Sequence, residues 1–227
     1  MLSTRRKFIA GLTSATAVAG FIGSPALAAT STRRFSAVLG RKQVGETSVM
    51  LTRTGGRIIA EVEARLDISI LGIINFNYHL SSREVWQNGV LQELRSTTDN
   101  DGTAEYANAD RVDGGLQIDG TGFQGIVAGN PATTSYFTAD FMGRPTWIST
   151  QTGKPLDLTI LNAGAATFNT NEGALNCTKY TTRGPLKINL FYDPAYEWVG
   201  TSFRVAGQAA TIAMTSRGQS FNSIWLG

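Results

Sequence analysis

The stretch from Arg57 to Ile70 constrains the fold more than any other. It reads Arg57-Ile58-Ile59-Ala60-Glu61-Val62-Glu63-Ala64-Arg65-Leu66-Asp67-Ile68-Ser69-Ile70. The even positions are all apolar; the odd positions from Glu61 to Ser69 are all polar, and Ile59 alone is out of class. Period-two alternation sends successive side chains to opposite faces of a strand, one face in a core and the other in water. At about 3.3 Å per residue this strand is expected to be roughly 40 Å long, too long for a small flat sheet. Long antiparallel strands of this kind belong to barrels and half-barrels, so the expected fold class is all-β, a curved antiparallel sheet forming a barrel or half-barrel.

The neighbouring segments agree. Ile74, Phe76, Tyr78 and Leu80 share one parity; Asn75, Asn77, His79 and Ser81 share the other. The phase carries on to Trp86, which places Glu84 and Trp86 on the face of Tyr78. Asn88-Gly89 is the strongest hairpin signal, since both residues tolerate the positive φ of a type I′ turn. Asp99-Asn100-Asp101-Gly102 and Asp113-Gly114-Gly115 mark further turns, and Leu71-Gly72 suggests a bulge or corner. Later strands are expected over Thr146–Ser149, Leu156–Leu161, Leu175–Thr182, Leu186–Tyr192, Trp198–Val205 and Ala210–Thr215. One short covering helix is expected between Pro131 and Phe141: Thr133 or Thr134 could cap it, Phe137 and Phe141 are spaced i, i+4, and Gly143 with Pro145 could end it.

The first residues look like a targeting segment rather than part of the fold. Arg5-Arg6-Lys7 precedes a mildly apolar run from Ala10 to Ile22, and Ala26-Leu27-Ala28 is a small-x-small cleavage site. This resembles a twin-arginine export signal over residues 1–28, leaving a single domain over 29–227 and a periplasmic or secreted location. Removing Arg5, Arg6 and Lys7 from the 20 basic residues leaves them equal in number to the 17 acidic ones. A neutral mature chain offers no electrostatic support for nucleic-acid binding. No later apolar run is long enough for a transmembrane helix. The single cysteine, Cys177, rules out an internal disulfide, so packing alone must hold the fold.

The succession of features carries a resemblance. The long strand ends near Leu71-Gly72, then come Glu84-Val85-Trp86-Gln87-Asn88-Gly89, Thr98-Asp99-Asn100-Asp101-Gly102 and the Pro131–Phe141 segment. Thr152-Gly153-Lys154-Pro155-Leu156-Asp157 and Phe191-Tyr192-Asp193 with Trp198-Val199-Gly200 follow. The chain resembles a family of exported bacterial proteins known as a domain of unknown function. In layout it is also distantly similar to periplasmic carriers of the lipoprotein-localisation type, in which a curved sheet wraps an apolar cavity. The resemblances imply a lipocalin-like or lipoprotein-carrier-like wrap; fold does not fix function.

No catalytic or metal-binding constellation stands out. His79 is the only histidine, so any imidazole base must use it, and it sits on the polar parity of its strand. One His and one Cys far apart do not make a zinc site, and Asp99-Asn100-Asp101-Gly102 lacks the later bidentate Glu of a calcium loop. Cys177 reads as a small core or strand residue. Glu84, among aromatics, is costly unless paired, and Arg65 or Arg95 on adjoining strands could pair with it. The aromatics Phe76, Tyr78, Trp86, Tyr136, Phe137, Phe141 and Trp147 either pack a core or line a cavity, because one inward face can do either.

Three functions follow as expectations. The first is a binding module for an apolar small molecule or lipid, or a hydrophobic segment of a protein partner, with Phe76, Tyr78, Trp86, Tyr136 and Trp147 contacting the ligand, His79 and Glu84 as a possible polar site, and no cofactor. The second is a small exported enzyme using Glu84, His79 or both, which requires His79 and a carboxylate within hydrogen-bond reach in one pocket. The third is an accessory protein docking through a sheet edge or an exposed apolar tail at Phe221–Leu226.

Overall fold

The structure is a computed structural model and describes residues 28–70, 74–205 and 207–227. The expected leader up to residue 27 and the Leu71-Gly72 corner lie outside the described residues.

Eight strands form a continuous antiparallel meander: β1 Ala29–Leu39, β2 Lys42–Thr54, β3 Arg57–Ile70, β4 Ile74–Gln87, β5 Val90–Asn100, β6 Thr103–Val112, β7 Gly115–Gly120 and β8 Phe123–Ala128. After an inner segment the meander resumes with β12 Thr159–Thr170, β13 Gly173–Arg183, β14 Asn189–Tyr192, β15 Trp198–Val205 and β16 Gln208–Ser216. Strand β16 pairs with β1, giving one 13-stranded sheet in the order β12-β13-β14-β15-β16-β1-β2-β3-β4-β5-β6-β7-β8. Strands β12 and β8 are its edges, so the sheet is a curved half-barrel that does not close.

The curvature has local causes. Register shifts interrupt the pairing at Arg34/Phe35, Ala37/Val38, Val85/Trp86, Asn162/Ala165 and Phe191/Tyr192. Each such irregularity bends the strand and increases its twist. At the Ala37/Val38 shift Gly45 lets β2 and β3 approach closely; a Cβ there would lie 2.0 Å from the Arg65 carbonyl oxygen. The hairpin at Asn88-Gly89 has the two positive φ values expected of it, 51° and 73°.

The inner segment fills the concave side. Strands β9 Ala132–Thr133, β10 Thr146–Ile148 and β11 Pro155–Asp157 make a small sheet in the order β11-β10-β9, with β9 and β10 parallel. A 3-10 helix spans Ala139–Gly143, with the Thr138 side chain accepting from Asp140 N. Of the helix expected from Pro131 onward, only this last turn is helical, ending at Gly143 as expected. Ala132 and Thr133 pair with Trp147 and Ile148, and Tyr136 takes a left-handed conformation, φ 45°, that breaks any helix there. The Phe137–Phe141 contact survives, with ring centroids 5.1 Å apart, because the turn and the 3-10 helix still bring the rings together. The strand expected over Leu156–Leu161 is split between β11 of the small sheet and β12 of the large one.

The α-helix among the described residues, α1 Phe221–Leu226, lies at the C-terminal end. Phe221, Ile224 and Trp225 are buried, so the expected exposed tail is part of the core and only Leu226 projects. So short a helix leaves most of its terminal backbone groups without intrahelical partners. Glu197 accepts the Phe221 and Asn222 N–H groups, both at 3.1 Å, and also the Ser220 hydroxyl. At the other end Arg53 Nη1 donates to the Ile224 carbonyl at 2.9 Å.

Trp86, Phe137, Phe141 and Trp225 form one aromatic cluster, with Trp86 5.0 Å from Phe141 and 5.4 Å from Trp225 between centroids. It plugs the half-barrel beside Ile58, the residue paired with Trp86. Further along β3 the inner face changes: Ile58, Ala60 and Val62 are buried, whereas Ala64, Leu66 and Ile68 are only half-buried. One end of the wrap is packed shut and the other leaves apolar surface uncovered.

Candidate functional site

That uncovered surface encloses a cavity of about 350 Å³. Strands β2, β3 and β4 supply Val49, Val62, Leu66, Tyr78 and Leu80 to one wall; Phe203 and Ile212 of β15 and β16 close a second. The inner segment supplies the polar part, Thr134, Ser135, Thr150 and Gln151, together with the Tyr136 ring. No lining residue carries a formal charge. The volume sits near the lower end of the roughly 300–1,000 Å³ common for small-molecule sites.

Tyr136 is held in place from behind. Its backbone carbonyl accepts the Tyr192 hydroxyl at 2.8 Å, and its ring lies 6.0 Å from that of Trp147 and 5.6 Å from that of Trp198. Burial pushes the Tyr136 phenol up to about 12, so it stays neutral. The Tyr78 hydroxyl donates to Gln151 at 3.4 Å, and Gln151 in turn donates to Glu105.

The sequence-expected residues divide along β4. Tyr78 and Tyr136 line the cavity. Phe76 is half-buried one pleat farther toward the open end, on the face of Tyr78. Trp86 and Trp147 are fully buried in the packed core and do not border the cavity. Glu84 lies between the two regions: Trp86 of the plug is on one side of it along the inner face, and Ser82 and Leu80 are on the other.

Glu84 is completely buried and, among the described residues, forms no ion pair. Neither expected partner reaches it. Arg65 has the outward parity of β3 and is paired with His79, while Arg95 binds Asp110 at 2.6 Å on the outer face. Glu84 Oε2 instead accepts Trp86 Nε1–H at 2.9 Å and the Thr133 hydroxyl at 3.0 Å; Oε1 has no hydrogen-bond partner. Burial raises its pKa from 4.5 to about 7, and the hydrogen bonds from Ser135, Trp86 and Thr133 offset only part of that rise.

His79 and Glu84 project from opposite faces of β4, so the expected two-residue device is not assembled. His79 Nε2 lies 3.1 Å from Glu63 Oε2, and both side chains are about half exposed on the outer face. Among the described residues no group of three or more His, Cys, Asp or Glu side chains is placed to hold a metal ion. Cys177 is buried and its thiol donates to the Leu175 carbonyl. Asp99 and Gly102 close a plain hairpin turn, with Gly102 N–H donating to Asp99 Oδ1 at 2.7 Å.

Sequence reasoning missed Thr133 and Ser135. Their i, i+2 spacing would have put both hydroxyls on one face had the segment been taken as extended; the helical expectation separated them.

The profile of the family described as Domain of unknown function (DUF6134) matches residues 35–215. The chain belongs to this family. The match runs from inside β1 almost to the end of β16, so the half-barrel described above is the fold of this DUF6134 domain. No curated protein matches the chain. Among solved structures, the crystal structure of a beta-barrel-like protein of domain of unknown function DUF1849 from Brucella abortus is similar, with a TM-score of 0.59 at 6% identity. The likeness covers 83% of this chain and 96% of that one and concerns the fold alone. No helix among the described residues is long and apolar enough to cross a membrane.

Proposed function

We propose that this DUF6134 domain is an exported binding module that holds a small apolar molecule, or one apolar chain of an amphiphile, on its concave face. The carrying observation is the uncharged cavity of about 350 Å³, continuous with the half-buried apolar stripe Ala64-Leu66-Ile68. Burying such surface against a ligand is worth about 25 cal/mol per Å², a sufficient driving force without charged contacts. Tyr78 and Tyr136 would touch the ligand; Trp86 and Trp147 would support the wall from behind. The small volume favours a single chain or ring system over a multiply acylated lipid. Export as a folded protein, by the leader the sequence suggests, would put the site in the periplasm or outside the cell.

Titration with the apolar fluorophore phenylnaphthylamine, together with native mass spectrometry of the protein purified from exporting cells, tests this. Saturable one-site binding, or a co-purified mass released by organic solvent, is the expected result. No binding and no adduct would overturn it.

A further inference from the structure

The polar end of the cavity has a direction that hydrogen accounting reveals. The Thr133 hydroxyl has one hydrogen, and it is spent on Glu84 Oε2 at 3.0 Å. With Glu84 ionised, the Ser135 hydrogen goes either to Thr133 across their 2.6 Å contact or to Glu84 itself, and in both arrangements it is spent within the trio. A hydroxyl carries one hydrogen and two lone pairs, so Ser135 has no hydrogen left for the cavity. What it shows to the interior is an acceptor. Behind it stands a fully buried carboxyl that forms no ion pair among the described residues and whose second oxygen has no partner, which adds negative potential.

We propose that Glu84, acting through Thr133 and Ser135, orients the ligand and selects an apolar molecule whose polar end donates a hydrogen bond, an amine or an alcohol, against one that ends in a carboxylate. This rests on the cavity being a ligand site and adds the class of headgroup. A carboxylate at Ser135 would meet lone pairs facing lone pairs. An alcohol donates its hydrogen to Ser135 Oγ, and a protonated amine gains the field of Glu84 as well. A site built around one unsatisfied acceptor discriminates against ligands that cannot donate, because the acceptor is then buried unpaired. Ser135 and Glu84 are thus positioning residues for the ligand's polar end.

Displacement of phenylnaphthylamine by dodecylamine, dodecanol and dodecanoate at about pH 8, where the amine is protonated and the acid ionised, tests the inference. The amine and the alcohol are expected to bind about tenfold or more tighter than dodecanoate. Ser135→Ala should reduce the alcohol-to-carboxylate ratio about fivefold in protein that keeps the wild-type circular dichroism spectrum. Glu84→Gln keeps an acceptor for Thr133 and removes the charge, so the amine should fall to the level of the alcohol while the alcohol still outcompetes dodecanoate. Dodecanoate binding as tightly as the alcohol, or an unchanged ratio in folded Ser135→Ala, overturns the headgroup assignment and leaves the cavity reading standing. Absence of saturable binding by all four compounds overturns both.

Discussion

Arg33 and Glu197 form a buried ion pair, with Nη2 2.9 Å from Oε2 and the two side chains 0% and 3% exposed. The same Glu197 carboxylate holds the first turn of α1, and Arg33 also donates to the Trp198 carbonyl at 2.9 Å and lies 4.4 Å over the Phe221 ring. The pair thus ties β1, the start of β15 and the C-terminal helix into one unit. Because α1 delivers Trp225 to the aromatic plug, this pair governs how the closed end of the wrap stays closed.

Removing one partner of a buried pair leaves the other charged in a medium that cannot solvate it. Arg33→Met should lower unfolding free energy by about 3–5 kcal/mol. Arg83→Met, which breaks a 3.4 Å pair with Glu93 on a partly exposed face, should change it by about 0–1 kcal/mol. Urea unfolding followed by tryptophan fluorescence measures both. Equal effects would show that α1 is held by its apolar contacts alone.

Glu84 makes stability depend on pH in an unusual direction. Its folded pKa, about 7, lies above the ordinary 4.5. Below the ordinary value both states hold the proton and the contribution is flat. Between that value and the folded one only the folded state holds it, so stability falls as pH rises through this window and levels off above it. The loss amounts to roughly 3 kcal/mol in all. Glu84→Gln should abolish this slope, so its advantage over the wild type grows from near zero at acid pH to its maximum in the slightly alkaline range. Parallel urea curves across that pH range measure it; a constant difference would contradict the burial of an ionisable carboxyl here.

The two ends of the wrap should separate stability from binding. Trp86→Ala removes a fully buried ring and one donor to Glu84, and should cost about 3–5 kcal/mol, while cavity affinity of the folded fraction changes little. Ala64→Phe projects a ring into the cavity from a half-buried position and should eliminate phenylnaphthylamine binding with a stability change within about 1 kcal/mol. Thermal melts and fluorescence titration on the same samples check the contrast. Loss of binding in Trp86→Ala with stability intact would move the site to the plug.

Much of the framework is legible in the sequence alone. The alternation from Ile58 to Ile70 identified β3, including its inward parity, because a half-buried strand writes its environment into every second residue. Asn88-Gly89 marked its hairpin because few residues accept two consecutive positive φ values. The same parity put Glu84 on the inner face and His79 on the outer. What failed was the inner segment. Phe137 and Phe141 have helical spacing, yet their neighbours are engaged by β10 and by Glu84, and such long-range partners leave no local periodicity.

By itself, then, the sequence determined the all-β class, the length of the central strands and which side chains face inward, since these follow from local alternation and turn chemistry. Only the tertiary structure decided that the inward face is packed solid around Trp86 and hollow around Leu66, that α1 folds back onto the plug, and that Thr133 and Ser135 stand between Glu84 and the cavity. Those outcomes depend on segments far apart in the chain competing for the same concave surface, and no single stretch records which of them wins.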